Sequence, residues 1–115
     1  MRFEVLMTHG ARRDLEELHD YIARHDSAEK AAHVLDAVLG IVETLAEFPK
    51  RGAHPRELHA LGIEEFREIG FKPYRVIYRI QGQRVYILLV ADGRRDFQNL
   101  LKSRFLRAWD RHVMS

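Results

Sequence analysis

The apolar run VYILLVA, at residues 85–91, is the feature that most narrows the folds open to this chain. Its length is far short of the roughly 20 residues of a membrane span, and its aliphatic composition is typical of a strand. A strand that has no polar face must be covered on both sides. The run therefore predicts a strand at the centre of a sheet.

The residues before this run predict the strand that pairs with it. Segment 74–80, YRVIYRI, alternates between a face of tyrosine and aliphatic side chains and a face that carries Arg75 and Arg79. A short turn that contains glycine separates the two segments, as in a β-hairpin. We expect the hydroxyls of Tyr74 and Tyr78 to lie at the rim of the apolar layer.

The rest of the chain supplies elements that can cover this sheet. Apolar residues recur at helical spacing in the first half of the chain, and Ser27 and Asp96 are suited to cap helices. The predicted elements are, in order, a strand at 3–7, helices at 10–25 and 28–47, strands within 63–71, 74–80 and 84–91, and a helix at 96–111.

This order predicts an α+β fold in a single domain over residues 1–115. An N-terminal strand leads into an antiparallel helical hairpin, because only a short link separates the first two helices. A three-stranded antiparallel meander then completes one sheet, and a C-terminal helix follows. We expect two main layers, with the hairpin packed on the sheet.

The charge of the chain is divided unevenly along its length. Residues 1–66 carry 8 Lys and Arg against 13 Asp and Glu, whereas residues 67–115 carry 11 against 4. The net charge of +2 thus conceals a strongly cationic second half. This division favours an anionic partner, either nucleic acid or an acidic protein segment, although a basic face that balances an acidic one gives the same totals.

Basic side chains of the second half form the candidate binding site. Arg94 and Arg95 follow the central strand and precede the last helix, where the helix dipole disfavours cations. Their position suggests a carboxylate or phosphate partner, since guanidinium donors match both anions. The alternative is a solvated surface with local ion pairs, for instance to Asp92 or Asp96. The full candidate set is Lys72, Arg75, Arg79, Arg94, Arg95, Arg104, Arg107 and Arg111.

The sequence gives little sign of a metal or a cofactor. It has no cysteine, and none of its seven histidines is four residues from another. It also has no glycine-rich phosphate loop. The N-terminus has no charged and apolar leader, so we expect a cytoplasmic protein without a membrane segment, a metal or a cofactor.

Four segments, taken in order, resemble the RelE/ParE toxins of bacterial type II toxin–antitoxin systems. They are GARRDLEELHDYIA, LAEFPKRG, FKPYRVIYRI and VYILLVADGRRD, and the resemblance covers residues 3 to 102. The family's fold agrees with the element order predicted above. The resemblance implies a growth-inhibiting toxin, of the kind linked to plasmid stabilisation, that forms an oligomeric complex with a cognate antitoxin.

The branches of this family differ in their target. Its ribonucleases cut messenger RNA in the ribosome, using basic side chains and a group that moves protons. Arg75 and Arg95 match two arginines of that site by position. However, Phe66 and Glu68 stand where one branch has a lysine pair, and Leu101 stands where its tyrosine is expected.

These departures favour the ParE-like branch, whose members bind DNA gyrase and have no nuclease site. The first hypothesis is thus a toxin that is not an enzyme, with the basic set as its surface for the target or the antitoxin. One alternative is a ribosome-dependent messenger RNA endonuclease in which Arg75 and Arg95 work with Lys72, Tyr74 or His112. Another is a non-toxic corepressor partner of the antitoxin.

Overall fold

A four-stranded sheet forms the centre of the structure, a computed structural model that describes residues 2–106. Its strands are β1 (Glu4–Met7), β2 (Phe66–Phe71), β3 (Tyr74–Gln81) and β4 (Arg84–Asp92), in the spatial order β1-β4-β3-β2. The last three strands form an antiparallel meander, and β1 pairs in parallel with β4. The predicted element order and the central place of the apolar strand are confirmed.

Two helices, α1 (His9–His25) and α2 (Ala28–Glu43), form the predicted hairpin. The side chains of Thr8 and Ser27 cap them, because each hydroxyl accepts a hydrogen bond from a backbone N–H in the first turn. Helix α2 ends earlier than residue 47, and the chain continues as a single 3-10 turn over Thr44–Ala46. Proline at position 49 disfavours helical backbone in the residue before it.

The hairpin covers one face of the sheet and makes the larger core. Apolar side chains of both helices meet alternate side chains of the three long strands. Its buried members include Ala11, Leu15, Ile22, Ala31, Val34, Val38, Val42, Ile69, Val76, Tyr78, Val85, Ile87 and Val90. This packing is the layer pair that the periodicity predicts.

The opposite face of the sheet, which we call the outer face, carries a second apolar cluster. The prediction of two main layers does not include this cluster. Helix α3 (Arg56–His59) and helix α4 (Phe97–Leu101) pack there against Ile77 and Leu89 of the sheet. This partial third layer explains why β4 is apolar on both faces. Helix α3 has only four residues, too few for a helical period to be visible in the sequence.

Strand β4 contains a β-bulge, which the sequence analysis does not anticipate. The register between β3 and β4 shifts there and leaves Leu88 without an opposite residue on β3. As a result Ile87 and Val90 both face the hairpin, although a separation of three residues places side chains on opposite faces of a regular strand. An apolar run gives no polar residue from which this change of face could be recognised.

The hydroxyl of Tyr78 does not lie at the rim of the core, so that prediction is wrong. Tyr78 is completely buried; its hydroxyl donates to the carbonyl of Pro49 at 2.7 Å and accepts from the N–H of Gly52 at 2.9 Å. The loop after α2 folds over this ring, and a Cβ at Gly52 would lie 2.6 Å from the hydroxyl oxygen. Burial raises the pKa of Tyr78.

The last helix is capped as predicted but is regular only at its start. The carboxylate of Asp96 accepts a hydrogen bond from the N–H of Asn99, and α4 continues after Leu101 as a π-helical turn over Lys102–Leu106. The remainder of the predicted helix, to residue 111, lies outside the described residues. Within residues 2–106, each helix is too short or too polar to cross a bilayer.

Candidate functional site

The structure divides the predicted basic set into separate groups. Lys72, Arg94 and Arg95 lie at one end of the sheet, whereas Arg75 and Arg79 are on the outer face of β3. Arg104 reaches back to α1. The described members of the set therefore do not converge on one concave surface. Arg107 and Arg111, together with the alternative catalytic residue His112, lie outside the described residues.

Two turns meet where β3 begins and β4 ends. The N–H of Gly93 donates to the carbonyl of Pro73 at 2.8 Å, and a Cβ at Gly93 would lie 3.0 Å from that oxygen, so the approach leaves little room for a side chain. The turn before β3 carries Lys72, and the turn after β4 carries Arg94 and Arg95; all three are exposed. We call these three residues the basic turn surface.

Arg94 has a local partner in this surface. Its Nε and Nη2 donate to the two carboxylate oxygens of Asp92 at 3.0 and 2.7 Å, and its backbone N–H donates to the same carboxylate. The hydrogen bonds from Arg94 lower the pKa of Asp92. The alternative of a local ion pair is thus correct for Arg94, yet its side chain is still 75% exposed and retains donors that point to solvent.

Arg75 lies beneath this surface and is held by two carboxylates. Its guanidinium donates to both oxygens of Glu57 at 2.8 and 2.9 Å and to both oxygens of Glu68 at 2.7 and 2.8 Å. Its Cζ lies 3.9 Å from the centre of the Phe97 ring. A Cβ at Gly93 would lie 2.6 Å from its Cδ, so the turn covers the stem of the side chain.

The electrostatics of this cluster follow from its geometry. The hydrogen bonds that Arg75 donates to Glu57 lower the pKa of Glu57, and the same hydrogen bonds are the largest cause of the raised pKa of Arg75. One cation faces two anions, and each of the three side chains is only about one-fifth exposed. The positive charge of Arg75 is therefore already compensated within the fold.

This cluster is not visible in the sequence pattern because its members come from separate elements. Glu57 is on α3, which the pattern does not predict, and Glu68 is on β2. A usable signal was present at Glu68, a charged residue inside a strand that neighbours β3. Its place in the sheet also predicts an acid near the arginines of β3, since adjacent strands bring alternate side chains to the same face.

Arg79 and Arg104 have different surroundings from the turn surface. The Arg79 guanidinium is 3.6 Å from the carboxylate of Glu65, in a loose and exposed pair. Arg104 donates to both oxygens of Asp14 at 2.8 and 3.1 Å and to the carbonyl of Leu88 at 2.9 Å. Arg104 therefore has internal partners, and a role for it in binding stays a prediction.

The alternative catalytic groups that the structure describes have unsuitable surroundings for proton transfer. Tyr74 is partly buried, and burial raises the pKa of its phenol, so that even less of it is ionised and able to accept a proton near neutral pH. Lys72 is exposed in the turn before β3. Within residues 2–105, no group of three His, Cys, Asp or Glu side chains is arranged to hold a metal ion.

Comparison with known proteins places these features in a family. The family model described as "ParE toxin of type II toxin-antitoxin system, parDE" matches residues 5–97. Toxin ParE3 of Caulobacter vibrioides is 28% identical over 90 residues, which are 78% of this chain and 86% of that protein. The family model's match includes the helical hairpin and nearly the whole sheet.

Solved structures share the fold. A chromosomal ParDE toxin–antitoxin system from P. aeruginosa has a TM-score of 0.67 at 21% identity, covering 79% of this chain and 96% of its own. The toxin–antitoxin complex RelBE2 from Mycobacterium tuberculosis gives 0.56 at 29%, covering 80% and 99%. A mutant of E. coli toxin RelE in the free state gives 0.59 at 16%, covering 94% and 98%. On the family match and this shared fold, the chain belongs to the ParE toxin family of type II toxin–antitoxin systems.

Proposed function

We propose that this toxin arrests growth by binding DNA gyrase and that a cognate antitoxin neutralises it in an oligomeric complex. In this account the toxin is a ligand of its target and not an enzyme, and it acts in the cytoplasm, where gyrase meets DNA. Membership of the ParE family supports the proposal. Relatives whose structures are described as toxin–antitoxin systems support an antitoxin as the resting partner.

The observation that carries the proposal is that Arg75 is already bound by two carboxylates of the same chain. A ribonuclease needs a cation that can stabilise the negative charge that develops on the scissile phosphate. The guanidinium of Arg75 instead donates its hydrogen bonds to Glu57 and Glu68, and the aliphatic part of its side chain lies under the turn at Gly93. A phosphate that approached this guanidinium would meet two carboxylates first, and like charges repel.

The same cluster is poorly suited to acid and base chemistry. Glu57 accepts two hydrogen bonds from Arg75, and its pKa is lowered. A carboxylate whose proton is lost more readily is a weaker base, and catalytic bases are usually poised near the working pH. Both requirements of the nuclease alternative, a free cation and a suitable base, are therefore unsupported at Arg75.

The basic turn surface supports binding of a partner in place of catalysis. Its three cations are exposed, and they lie in the half of the chain that carries 11 basic against 4 acidic residues. Such a surface increases the rate of association with acidic partners and orients them. An acidic, partly disordered antitoxin segment could neutralise the same charges in the resting complex.

The test is a supercoiling assay with purified gyrase and toxin freed of antitoxin. The proposal predicts inhibition at toxin concentrations near that of gyrase, with accumulation of cleaved DNA, and relief when antitoxin is added. Mapping of transcript ends after induction is the parallel assay. New cuts at codons with active gyrase would favour the endonuclease, and harmless expression without antitoxin would favour the corepressor.

A further inference from the structure

An exposed aromatic pair lies at the C-terminal end of α1. The rings of Tyr21 and His25 stack with their centres 4.1 Å apart and their planes 21° from parallel, yet Tyr21 is 60% exposed. His25 is fixed in this pose because its Nδ1 lies 2.9 Å from the carbonyl oxygen of Tyr21. A carbonyl only accepts, so Nδ1 carries the proton of this bond.

The course of α1 brings this pair beside the basic turn surface. The N–H of Thr8 donates to the carbonyl of Ile87, and Asp14 accepts from the N–H of Val90, so α1 advances in the same direction as β4. Tyr21 follows Asp14 by two helical turns, about 10 Å further along the same side. A distance of about 10 Å corresponds to about three residues of a strand. Moving that far along β4 from Val90 therefore leads past Asp92, its last residue, to the turn that holds Arg94.

The electrostatics agree with this placement. Asp92 raises the pKa of Arg94 most, through its hydrogen bonds and its charge, and the phenols of Tyr74 and Tyr21 add smaller contributions. Tyr74 is directly opposite Asp92 in the sheet. The aromatic pair, Tyr74 and the basic turn surface therefore form one continuous area at this end of the molecule.

The composition of this area is that of a protein-binding hot spot. Tyrosine and arginine are among the residues most often responsible for binding energy at interfaces, because a tyrosine ring buries a large area and a guanidinium makes several hydrogen bonds. The carboxylate of Asp92 and the aromatic pair also lie in this area, so it is less uniformly cationic than a surface that binds a polyanion such as nucleic acid. Because the side chains are held before any partner binds, the area suits a folded protein surface.

We propose that Tyr21, His25 and Arg94 are the centre of the surface by which the toxin docks on its folded protein target. The target presents a carboxylate to Arg94 and an apolar side chain to the ring of Tyr21. This inference rests on the proposed function, since it takes the target to be DNA gyrase. It adds two residues of α1, Tyr21 and His25, to the predicted basic set.

The experiment measures binding of toxin variants to purified gyrase without DNA, alongside supercoiling inhibition. We expect Tyr21→Ala and Arg94→Glu each to weaken binding at least about tenfold, whereas Tyr21→Phe, which keeps the ring, stays within about threefold of the unaltered chain. Matched controls are Phe48→Ala and Arg2→Ala. Phe48 is 62% exposed, and Arg2 pairs with Glu47 beside β1, at the opposite end of the sheet.

Thermal unfolding of each variant verifies that the fold is intact. Selective loss of gyrase binding in the Tyr21 and Arg94 variants supports the inference. Full binding by both variants overturns it while leaving the proposed function in place, and so does binding that requires DNA. Loss of antitoxin binding with gyrase binding unchanged also overturns it. A toxin that does not bind gyrase before any substitution is a failure of the proposed function itself.

Discussion

Arg75 makes four hydrogen bonds to two carboxylates while its Cζ lies 3.9 Å from the Phe97 ring centre. These contacts join α3, β2, β3 and the start of α4 through one side chain. Removal of the guanidinium would leave Glu57 and Glu68 close together without a counter-charge. At the scale of the residue, then, Arg75 is a structural link on the outer face.

We expect Arg75→Ala to lower the free energy of unfolding by about 2–4 kcal/mol, because it leaves two partly buried carboxylates uncompensated. Urea denaturation measures this directly. Arg79→Ala is the matched control on the same strand, and its exposed pair predicts a change below about 0.5 kcal/mol. Equal effects of the two substitutions would contradict the role assigned to Arg75.

Acid should weaken the fold through the paired carboxylates. The pKa values of Glu57 and Asp92 are lowered from their ordinary values of 4.5 and 3.8, chiefly by hydrogen bonds from Arg75 and Arg94. As pH falls, the unfolded chain takes up protons before the folded chain does. The stabilisation is therefore complete above about pH 5 and is lost as pH falls through the folded pKa values.

Denaturation at a series of pH values tests this expectation. Glu57→Gln should lower stability at neutral pH and reduce the further loss between about pH 5 and pH 3, since one of the linked groups is gone. Asp36→Asn, at an exposed position of α2, is the control and should leave the acid loss unchanged. An identical acid profile for the Glu57 variant would show that this carboxylate is not linked to folding.

At the scale of elements, Asp14 and Arg104 connect α1, the β4 bulge and the C-terminal helix. Asp14 accepts from the N–H of Val90 at 3.0 Å and from Arg104, which also donates to the carbonyl of Leu88. Strand β1 ends opposite Ile87, so this part of β4 has no strand on that side. The side-chain pair supplies hydrogen bonds that a neighbouring strand would otherwise make.

We expect Asp14→Ala to cost about 2–4 kcal/mol, because it leaves the Arg104 guanidinium and a backbone N–H without their acceptor. Hydrogen exchange should also be faster at the Val90 amide and in α4. Glu16→Ala, at an exposed position of the same helix, serves as the control. If both variants exchanged and unfolded alike, the connection would have no energetic importance.

The periodicity of the sequence was sufficient to predict the helical hairpin and the meander, but it did not predict the β-bulge or the partners of Arg75. Two amphipathic helices and two alternating strands leave clear patterns, and these predicted the hairpin and the meander. The bulge at Leu88 falls within an apolar run, where a change of face alters no residue type. The partners of Arg75 are set by tertiary packing, which local periodicity does not record.

At the scale of the whole molecule, the three exposed cations of the basic turn surface lie together at one end of the sheet. We expect simultaneous reversal of Lys72, Arg94 and Arg95 to glutamate to abolish growth arrest on induction. The pair between Arg94 and Asp92 is lost in this variant, but because the Arg94 side chain is 75% exposed, the thermal midpoint should fall only slightly. Arg104 is excluded from this set, because its reversal would place two acids together at Asp14. Reversal of Arg2, Arg12 and Arg13, which changes the net charge equally, is the control and should leave growth arrest intact.

The most direct measurement is inhibition of DNA supercoiling by purified gyrase when toxin freed of antitoxin is added. The account predicts inhibition at near-equal concentrations of toxin and gyrase, and no cleavage of messenger RNA on ribosomes under the same conditions. Unchanged supercoiling, together with codon-directed cuts that disappear in an Arg75→Ala variant that remains folded, would contradict it.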